Sequence, residues 1–509
     1  MDLVSSRGND PHVVVVGAGV GGLTAGALLL KAGYRVTVLE AQAYPGGCAG
    51  TFAYQGYRFD AGATLAGGFA PGGPHQRLAK ALGLDWPIDP VDPAWVVHLP
   101  DGRQVTQWAD PAAWEAEWRA VFPESGDFWR RQSKLADLSW DVSSRPFPWP
   151  PQSPGEAARL AASLRPRTLA ALPHLGRRVA DLLPAGASPM LRSFVDANLL
   201  ISAQCTAAEA GALYGSAALD LPRRGVNAVR GGIGAIAETL VAWIRAQGGE
   251  IGFKQTVERI ELRDGRAVAL HIQARRRAGT RRVIACDQVL ANVTPWALQR
   301  LLGEAAPAGL RRETRRLGET WGACMLYLGL DASKLPVDMP DHHQVIVDAD
   351  RPLGETNSVF LSISDARHPG RAPAGRRAAN ISTHTAIAPW WALREDPAGE
   401  TAYLERRVRY TEAMLDAAER AVPGLKSAVE LCLPATPVTY QHWTGRPRGM
   451  VGGFPQGSIF AARGPRTAIP NLWLVGDSIF PGQSTAGVTL GGMRVAEAVL
   501  GGGRGPGRG

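Results

Sequence analysis

The stretch from His12 to Glu40 constrains the fold of this chain more than any other. An apolar run, Val13–Val16, leads directly into the sequence GAGVGG, which begins at Gly17. An apolar pattern with helical spacing follows, and a second apolar run, Arg35–Leu39, ends on an acidic residue. A strand, a glycine-rich turn, a helix and a second strand in this order predict the βαβ unit of a Rossmann-like α/β domain.

The glycines and the acid of this unit suit a dinucleotide. Gly17 permits a tight turn, Gly19 lets a pyrophosphate approach the backbone, and Gly22 lets the helix pack closely on the strand. Glu40 ends the second strand, where a carboxylate can accept hydrogen bonds from ribose hydroxyls. Gly47 belongs to a glycine pair after this acid, which suggests further backbone around a long cofactor or, alternatively, an ordinary hairpin with glycine turns. The order of these parts predicts a dinucleotide site, although a βαβ unit without a ligand also fits.

A second arrangement of strand, glycine, acid and helix lies near the C-terminus. An apolar strand is predicted over 471–475, followed by Gly476, Asp477 and a helix over 488–500. A compact NAD site does not need these parts, whereas FAD does, because its ribityl chain and flavin ring extend beyond the first βαβ unit. Asp477 can hydrogen-bond the ribityl or pyrophosphate region, and N–H groups near Val488 can face the flavin carbonyl. The sequence therefore predicts FAD.

The predicted fold class is α/β, with a discontinuous Rossmann-like FAD-binding domain and an inserted, mixed α+β substrate domain. Helices are predicted over 235–246 and 399–421. The predicted strands are 250–253, 257–263, 266–273, 288–291, 322–330, 343–348, 357–364 and 379–385. The predicted division is 11–70, 225–299 and 436–500 for the FAD-binding domain, 71–224 and 300–435 for the substrate and membrane-facing domain, and 1–10 and 501–509 for disordered ends.

The net charge of +9 comes almost entirely from arginine, since only six of the 55 basic residues are lysines. Codon bias in a GC-rich genome explains this, and attraction to an anionic surface is the alternative. We expect no nucleic-acid partner, because no compact basic run contains interleaved aromatic residues. The five cysteines are scattered without a CxxC pair, which argues against disulfides or a zinc site and favours a reducing cytoplasm.

No signal-peptide pattern opens the chain, and no run approaches the ~20 apolar residues of a spanning helix. The expected location is therefore the cytoplasm, with peripheral attachment to the cytoplasmic membrane. Residues 156–183 mix leucine and alanine with arginines, so they can form a basic amphipathic hairpin on a membrane or a solvated helical face.

Trp114, Trp118 and Phe122 recur at helical spacing, which predicts a core stripe or, alternatively, the lining of an apolar tunnel.

Several stretches together resemble the FAD-dependent carotenoid desaturase and isomerase family. They are VVVVGAGVGGLTAGALL, VLEAQAYPGGCAGTF, GYRFDAGAT, GGIGAIAETL and NLWLVGDSIFPGQSTAGV. Two others, FDAGATLAGGFAPGGPH and DPAWVVHLPDG…FW…PFPWPPQS, are more similar to the bacterial carotenoid C-3′,4′ desaturases. The resemblance covers nearly the whole chain and is weaker between 300 and 430.

The resemblance implies that Gly17, Gly19, Gly22 and Glu40 hold the ADP part of FAD. It further implies that the backbone of Val257 contacts the adenine, and that Gly476 and Asp477 contact the ribityl and pyrophosphate region. One position departs from the pattern: many relatives carry arginine after the paired glycines, where this chain has Cys48. Relatives close to the isomerases also lack that arginine, so the departure concerns the flavin environment rather than FAD binding.

The implied activity is introduction of a C-3′,4′ double bond into a monocyclic or acyclic carotenoid, hydroxylated at C-1′. Hydride loss from the allylic carbon leaves a cation delocalised over the polyene, so loss of the neighbouring proton needs only a weak base. No catalytic residue and no metal ligand is assigned; the histidines considered as bases are His342, His343, His384 and His442. The electron acceptor, a quinone or dioxygen, stays open. Alternatives are a redox-neutral carotenoid isomerase, an amine oxidase and a prenyl-binding escort protein.

Overall fold

The computed structural model describes residues 10–145, 149–151, 154–274, 281–315, 320–368, 370–453 and 462–502. The strands are β1 (His12–Val16), β2 (Arg35–Glu40), β3 (Thr51–Tyr54), β4 (Tyr57–Asp60), β5 (Ile88–Val91), β6 (Trp95–His98), β7 (Gln104–Gln107), β8 (Val226–Val229), β9 (Glu250–Phe253), β10 (Gln255–Arg263), β11 (Arg266–Ala274), β12 (Arg281–Ala285), β13 (Gln288–Ala291), β14 (Trp321–Asp331), β15 (His342–Ile346), β16 (Ser358–Ile363), β17 (Arg376–Ala386), β18 (Val429–Ala435) and β19 (Leu472–Leu474). The helices are α1 (Val20–Lys31), α2 (Pro74–Leu82), α3 (Pro111–Val121), α4 (Gly126–Ser143), α5 (Pro154–Ser163), α6 (Pro166–Leu169), α7 (Pro189–Ala203), α8 (Ala212–Leu219), α9 (Ala235–Ala246), α10 (Pro295–Leu302), α11 (Ala308–Glu313), α12 (Ala388–Glu395), α13 (Glu400–Ala421), α14 (Leu425–Ala428), α15 (Pro437–Thr444) and α16 (Thr485–Gly502).

A five-stranded parallel sheet in the order β19-β13-β1-β2-β9 brings together segments that are distant in the chain. The side chains of β1 are all buried, as expected of a central parallel strand covered on both faces. Helix α1 packs against α9 and α16, and the approach to α16 is close: a Cβ added to Gly492 would lie 2.5 Å from the carbonyl oxygen of Gly21. This sheet and its helices confirm the predicted α/β fold class.

A three-stranded antiparallel sheet, β10-β11-β12, follows the parallel sheet. The predicted hairpin over 257–263 and 266–273 is confirmed, with Asp264 and Gly265 in the left-handed conformation at the turn. The third strand, Arg281–Ala285, was not predicted, because its sequence RRVIA has no alternation or turn signal of its own.

The largest sheet has seven strands in the order β18-β14-β17-β16-β15-β6-β7. Its pairs are antiparallel except β15–β6, which is parallel. The four strands predicted between 322 and 385 all belong to it, and the predicted helix over 399–421 is α13, which packs on one face. Strands β6 and β7 come from a region rich in Trp and Pro, which gave no strand prediction.

The aromatic stripe of α3 belongs to a hydrophobic core. Trp118 and Phe122 are buried in the same cluster as Phe128 and Phe194, and Trp114 packs against it. The core interpretation is therefore confirmed for this stripe, because none of its three aromatic residues contributes to the large cavity described below.

The predicted domain boundaries stay a prediction, but two details bear on them. The boundary between 299 and 300 falls inside α10, whose Leu301 and Leu302 pack into the core of the parallel sheet. At the C-terminus α16 continues to Gly502, so residues 501 and 502 are helical and were wrongly assigned to a disordered end. The remaining residues assigned to disordered ends, 1–9 and 503–509, lie outside the described residues.

Among the helices that the structure describes, none is both long and apolar enough to cross a membrane.

Candidate cofactor and substrate cavity

One cavity of about 2080 Å³ extends from the glycine turn after β1 to the segment around α6. Typical small-molecule pockets have volumes of about 300–1,000 Å³, so this cavity can hold a large cofactor together with a long second ligand. Every predicted site residue except Gly22 lines it: Gly17, Gly19, Glu40, Gly47, Val257, Gly476, Asp477 and Val488.

The turn after β1 is held open by a side chain that sequence reasoning missed. Gly17 has φ +96 and donates its N–H to the carbonyl of Leu39 at 2.8 Å. Behind the turn, Nδ2 of Asn292 donates to the Gly17 carbonyl at 3.1 Å. A Cβ added to Gly22 would lie 2.8 Å from the Cβ of Asn292, so Gly22 serves close packing rather than direct contact with a ligand.

The predicted glycine pair lies directly on this turn. Gly46 donates its N–H to the carbonyl of Ala18 at 2.8 Å, and it forms an isolated parallel bridge with Gly19. Gly46 and Gly47 have φ +110 and +60, a conformation that side chains rarely adopt. Two stretches of nearly bare backbone therefore face the cavity together, which suits close approach by a pyrophosphate.

Glu40 lies where the second strand ends, as predicted. Its two carboxylate oxygens accept hydrogen bonds from the N–H groups of Ala18 and Gln42, both at 2.8 Å. Burial raises the pKa of Glu40, and the bonds from the backbone of Gln42 and Ala18 oppose that shift. The carboxylate is thus oriented from behind and exposes its remaining lone pairs to the cavity. Val257, on β10, lines the cavity with Gln255 and Thr256; its contact with adenine stays a prediction.

Asp477 is paired with an arginine that has no sequence signal. Arg446 donates to the Asp477 carboxylate and to the carbonyl of Gly452, and it also hydrogen-bonds the thiol of Cys48. Burial disfavours its charge, but Asp477 and Cys48 together raise the pKa of Arg446 above its ordinary value. A fixed positive charge therefore stands beside Cys48, the position where many relatives carry arginine. Gly476, with φ +106, packs against the side-chain oxygen of Asn292.

The start of the last helix differs in detail from the prediction. Helix α16 begins at Thr485, and the N–H groups of Gly487 and Val488 already donate to the side chain and the carbonyl of Ser484. The Val488 side chain lines the cavity, but its N–H is not available to a flavin carbonyl. The helix starts three residues earlier than its apolar pattern, so its first-turn N–H groups belong to Thr485 and Ala486.

Of the four histidines considered as bases, two line the cavity. His384 and His442 belong to its wall, whereas His342 and His343 lie inside the seven-stranded sheet. His342 is hydrogen-bonded to Ser362 and His343 to His98, and burial, the first cause, lowers their pKa values to about 3 and about 4. These two are structural. In the part of the chain that the structure describes, no group of three or more His, Cys, Asp or Glu side chains is placed to hold a metal ion.

A model of the flavin-containing amine oxidoreductase family matches residues 20–500. The chain belongs to this family. FAD is accordingly its cofactor, and the residues fit it: a double glycine cradle, a carboxylate at the end of β2 and a cavity large enough for the whole molecule.

Curated relatives share nearly the full length of the chain. It is 30% identical to the chloroplastic prolycopene isomerase of Arabidopsis thaliana, over 96% of this chain and 82% of that protein. Identity is 29% to the phytoene dehydrogenase of Streptomyces griseus, over 98% and 97% of the two chains. It is 27% to the hydroxyneurosporene desaturase of Rhodobacter capsulatus, over 97% and 98%. The resemblance to carotenoid desaturases and isomerases is thereby confirmed.

Solved structures agree with the fold. An oxidoreductase from Methanosarcina mazei superimposes with a TM-score of 0.63 at 20% identity, covering 96% of this chain and all of that one. The protein is thus an FAD-dependent oxidoreductase of the carotenoid desaturase and isomerase type.

Proposed function

We propose that this enzyme introduces a C-3′,4′ double bond into a monocyclic or acyclic carotenoid hydroxylated at C-1′. The observation that supports this most is the continuity of the cavity, which runs from the FAD cradle between the two sheets to an apolar mouth. FAD, when bound, accepts the hydride that leaves the substrate. Two C–H bonds break, one C=C bond forms, and the proton passes to a weak base or to water.

The seven-stranded sheet forms one wall of the cavity on the side away from α13. Met325, Phe360 and Ser382 face the cavity from three of its strands, and Trp95 does so from a fourth. These side chains present mainly apolar surface to a long ligand, so they orient it by shape and exclude water. Positioning of the allylic carbon then carries most of the catalysis.

The mouth of the cavity suits contact with a membrane. Leu164, Leu169 and Leu172 are 47%, 52% and 58% exposed, although each also lines the cavity, and Arg167 lies among them. An apolar chain of about 40 carbons, at ~0.8 kcal/mol per buried CH₂, leaves a bilayer only for a comparable apolar path. We therefore propose that α6 and its flanks dock on the membrane surface. The exposed Arg178, by contrast, is held to the carbonyl of Glu209 by a hydrogen bond.

Desaturation is tested with the FAD-loaded protein and a 1′-hydroxycarotenoid in liposomes, read by mass and absorption spectrum. Loss of two hydrogens with a red shift is expected. An unchanged mass with a different isomer profile would instead establish a redox-neutral isomerase. That second candidate is favoured by the 30% identity to prolycopene isomerase and by Cys48 in place of arginine. Repeating the assay with a quinone in the liposomes, or with dioxygen alone, identifies the acceptor.

Membrane docking is tested by replacing Leu169 and Leu172 with serine and measuring co-flotation with anionic liposomes. Binding is expected to fall several-fold while the fold and FAD content stay unchanged. The matched control replaces Val337 and Val408, which are 95% and 51% exposed but lie outside the cavity wall. Arg165→Glu with Arg167→Glu tests the contribution of charge. Equal flotation of the leucine variant and the control would exclude this docking surface.

A further inference from the structure

A polar cluster interrupts the wall of the cavity at the side where α16 begins. It contains Gln204, at the end of α7, His384, on β17, and Gln483, two residues before α16. Gln204 and Gln483 approach each other across Gly452: a Cβ added to that glycine would lie 2.4 Å from Oε1 of Gln483 and 3.7 Å from Cγ of Gln204. Three distant segments therefore place polar groups at one point of the wall.

The hydrogen bonds of this cluster fix the state of the histidine. Nε2 of His384 lies 3.1 Å from Oε1 of Gln204, and the amide nitrogen of Gln204 donates to the carbonyl of Ile201 at 3.5 Å. Since an amide oxygen can only accept, Nε2 of His384 must carry the proton. Burial lowers the pKa of His384 to about 4, so the ring is neutral at neutral pH. Nδ1 is then a hydrogen-bond acceptor.

Nothing in the described part of the chain donates a hydrogen bond to this Nδ1 atom. Two neighbours of the ring are apolar: Ala323 pairs with His384 on the neighbouring strand, and the Trp321 ring meets it edge-on, with centroids 6.0 Å apart. A pure hydrocarbon in contact with the ring would leave an acceptor desolvated and unpaired, which is unfavourable. A ligand that presents a donor at this point is favoured.

We propose that His384, oriented by Gln204, accepts a hydrogen bond from a hydroxyl group of the bound carotenoid and thereby selects hydroxylated chains over the parent hydrocarbons. This inference rests on the proposed function and names the feature of the substrate that the site recognises. A carbonyl oxygen cannot serve, because it only accepts. An ammonium group would need a counter-charge, and the carboxylate of Asp477, which lines the same cavity, is already paired with Arg446.

The position of the cluster agrees with the proposed bond. Gln483 precedes the helix start that we expect to face the flavin carbonyl, and its amide hydrogen-bonds the hydroxyl of Tyr214, which anchors the cluster to α8. A hydroxyl at C-1′ is separated from C-3′ and C-4′ by only a few bonds. Binding of the hydroxyl at His384 would therefore hold the carbons to be desaturated at the cofactor end of the cavity.

The test compares hydroxyneurosporene with neurosporene, two chains that differ by the hydroxyl group. Binding to the FAD-loaded protein in detergent micelles is followed by quenching of tryptophan fluorescence. The wild-type protein is expected to bind the hydroxylated chain about tenfold or more tightly. His384→Phe is expected to abolish this preference and leave neurosporene binding unchanged. Gln204→Met, a change in the positioning residue, is expected to reduce the preference in the same way, because Nδ1 is then free to carry the proton.

His271→Phe, on the β10-β11-β12 sheet outside the cavity wall, is the matched control and is expected to keep the full preference. Equal binding of both chains by the wild-type protein would overturn the hydroxyl site while leaving the proposed function intact. Full preference in His384→Phe would overturn it as well. Binding of neither chain would refute the proposed function and this inference with it. If His384→Phe does not fold, the proposal is tested by the preference of the wild-type protein for hydroxyneurosporene and by the loss of that preference in Gln204→Met.

Discussion

The guanidinium of Arg446 and the carboxylate of Asp477 form an ion pair inside the cofactor cavity. Both side chains are largely buried, and the arginine also reaches Cys48 and the carbonyl of Gly452. The arginine that many relatives carry after the paired glycines is absent here. The guanidinium of Arg446, from the turn after α15, lies beside Cys48, so this chain places a positive charge there from a different segment.

Arg446→Met is expected to lower the free energy of unfolding by about 3–5 kcal/mol, because it removes the cation that pairs with the buried carboxylate of Asp477. FAD affinity should fall at the same time. Arg448→Met is the control, since Arg448 is about half exposed and its 3.5 Å pair with Glu395 is solvated. Chemical denaturation and fluorescence titration with FAD give the two quantities. Adding Asp477→Leu to Arg446→Met should recover stability but not FAD affinity; similar losses in the Arg446→Met and Arg448→Met variants would contradict the argument.

Gly22→Ala is expected to weaken FAD binding and to destabilise the protein, although Gly22 does not line the cavity. The new Cβ would lie 2.8 Å from Cβ of Asn292 and 3.0 Å from its Nδ2, so the bond that supports Gly17 must shift. Gly26→Ala, one turn further along α1, meets only Val15 and Val36 at 3.4 and 3.5 Å and should be tolerated. Combining Gly22→Ala with Asn292→Ala makes room for the methyl group. If the double variant is no more stable than Gly22→Ala alone, the steric explanation fails.

Glu40→Gln is expected to lower FAD affinity by tenfold or more, since a hydrogen bond to a charged group contributes about 1.5–3 kcal/mol. The amide also places N–H groups where the backbone of Ala18 or Gln42 donates. Isothermal titration of the apoprotein with FAD measures the effect. Glu250→Gln is the control, because Glu250 lies on β9 outside the cavity wall and accepts a hydrogen bond from Thr37 at 3.3 Å. Equal affinities for both variants would mean that Glu40 does not contact the ribose.

The positions of Gly17, Gly19 and Glu40 could be predicted because one short stretch of chain contains the complete βαβ signal. Asn292 could not be predicted: it supports a turn that lies 275 residues earlier, and its role exists only once β13 pairs with β1. Arg446 is similar, since it meets Cys48 and Asp477 only in the folded chain.

Other features were partly visible in the sequence. The last helix was predicted from its large apolar residues, but it begins with the small residues Thr485, Ala486 and Gly487, and this first turn determines which N–H groups are free. Local sequence patterns therefore predict the cofactor motifs well, but they do not predict the order of the strands in the sheets. The contacts that complete the site join distant segments, and such contacts leave no periodic pattern in the sequence.

His75 should make the stability of the protein depend on pH. It is completely buried on α2, its ring stacks on Phe69 at 4.4 Å between centroids, and its Nε2 has no partner among the described residues. Burial lowers the pKa of His75 to about 3, from the ordinary 6.5. Between these values the unfolded chain binds a proton that the folded protein does not. Stability from this group is therefore complete above pH 6.5 and is lost as the pH falls toward 3, by about 1.4 kcal/mol per pH unit.

His75→Phe removes this proton while keeping an aromatic ring against Phe69. Its free energy of unfolding is measured by denaturant titration between about pH 4 and 6. This free energy should change with pH less steeply than that of the wild-type protein, because the variant takes up about one proton fewer on unfolding. Thr489→Val is the control, because it replaces the hydroxyl that lies 3.4 Å from Nδ1 by a methyl group and leaves the ring. That variant should be less stable at every pH with an unchanged slope. Parallel pH profiles for His75→Phe and the wild-type protein would show that His75 is protonated in the folded state, and that its burial does not control the acid sensitivity of the fold.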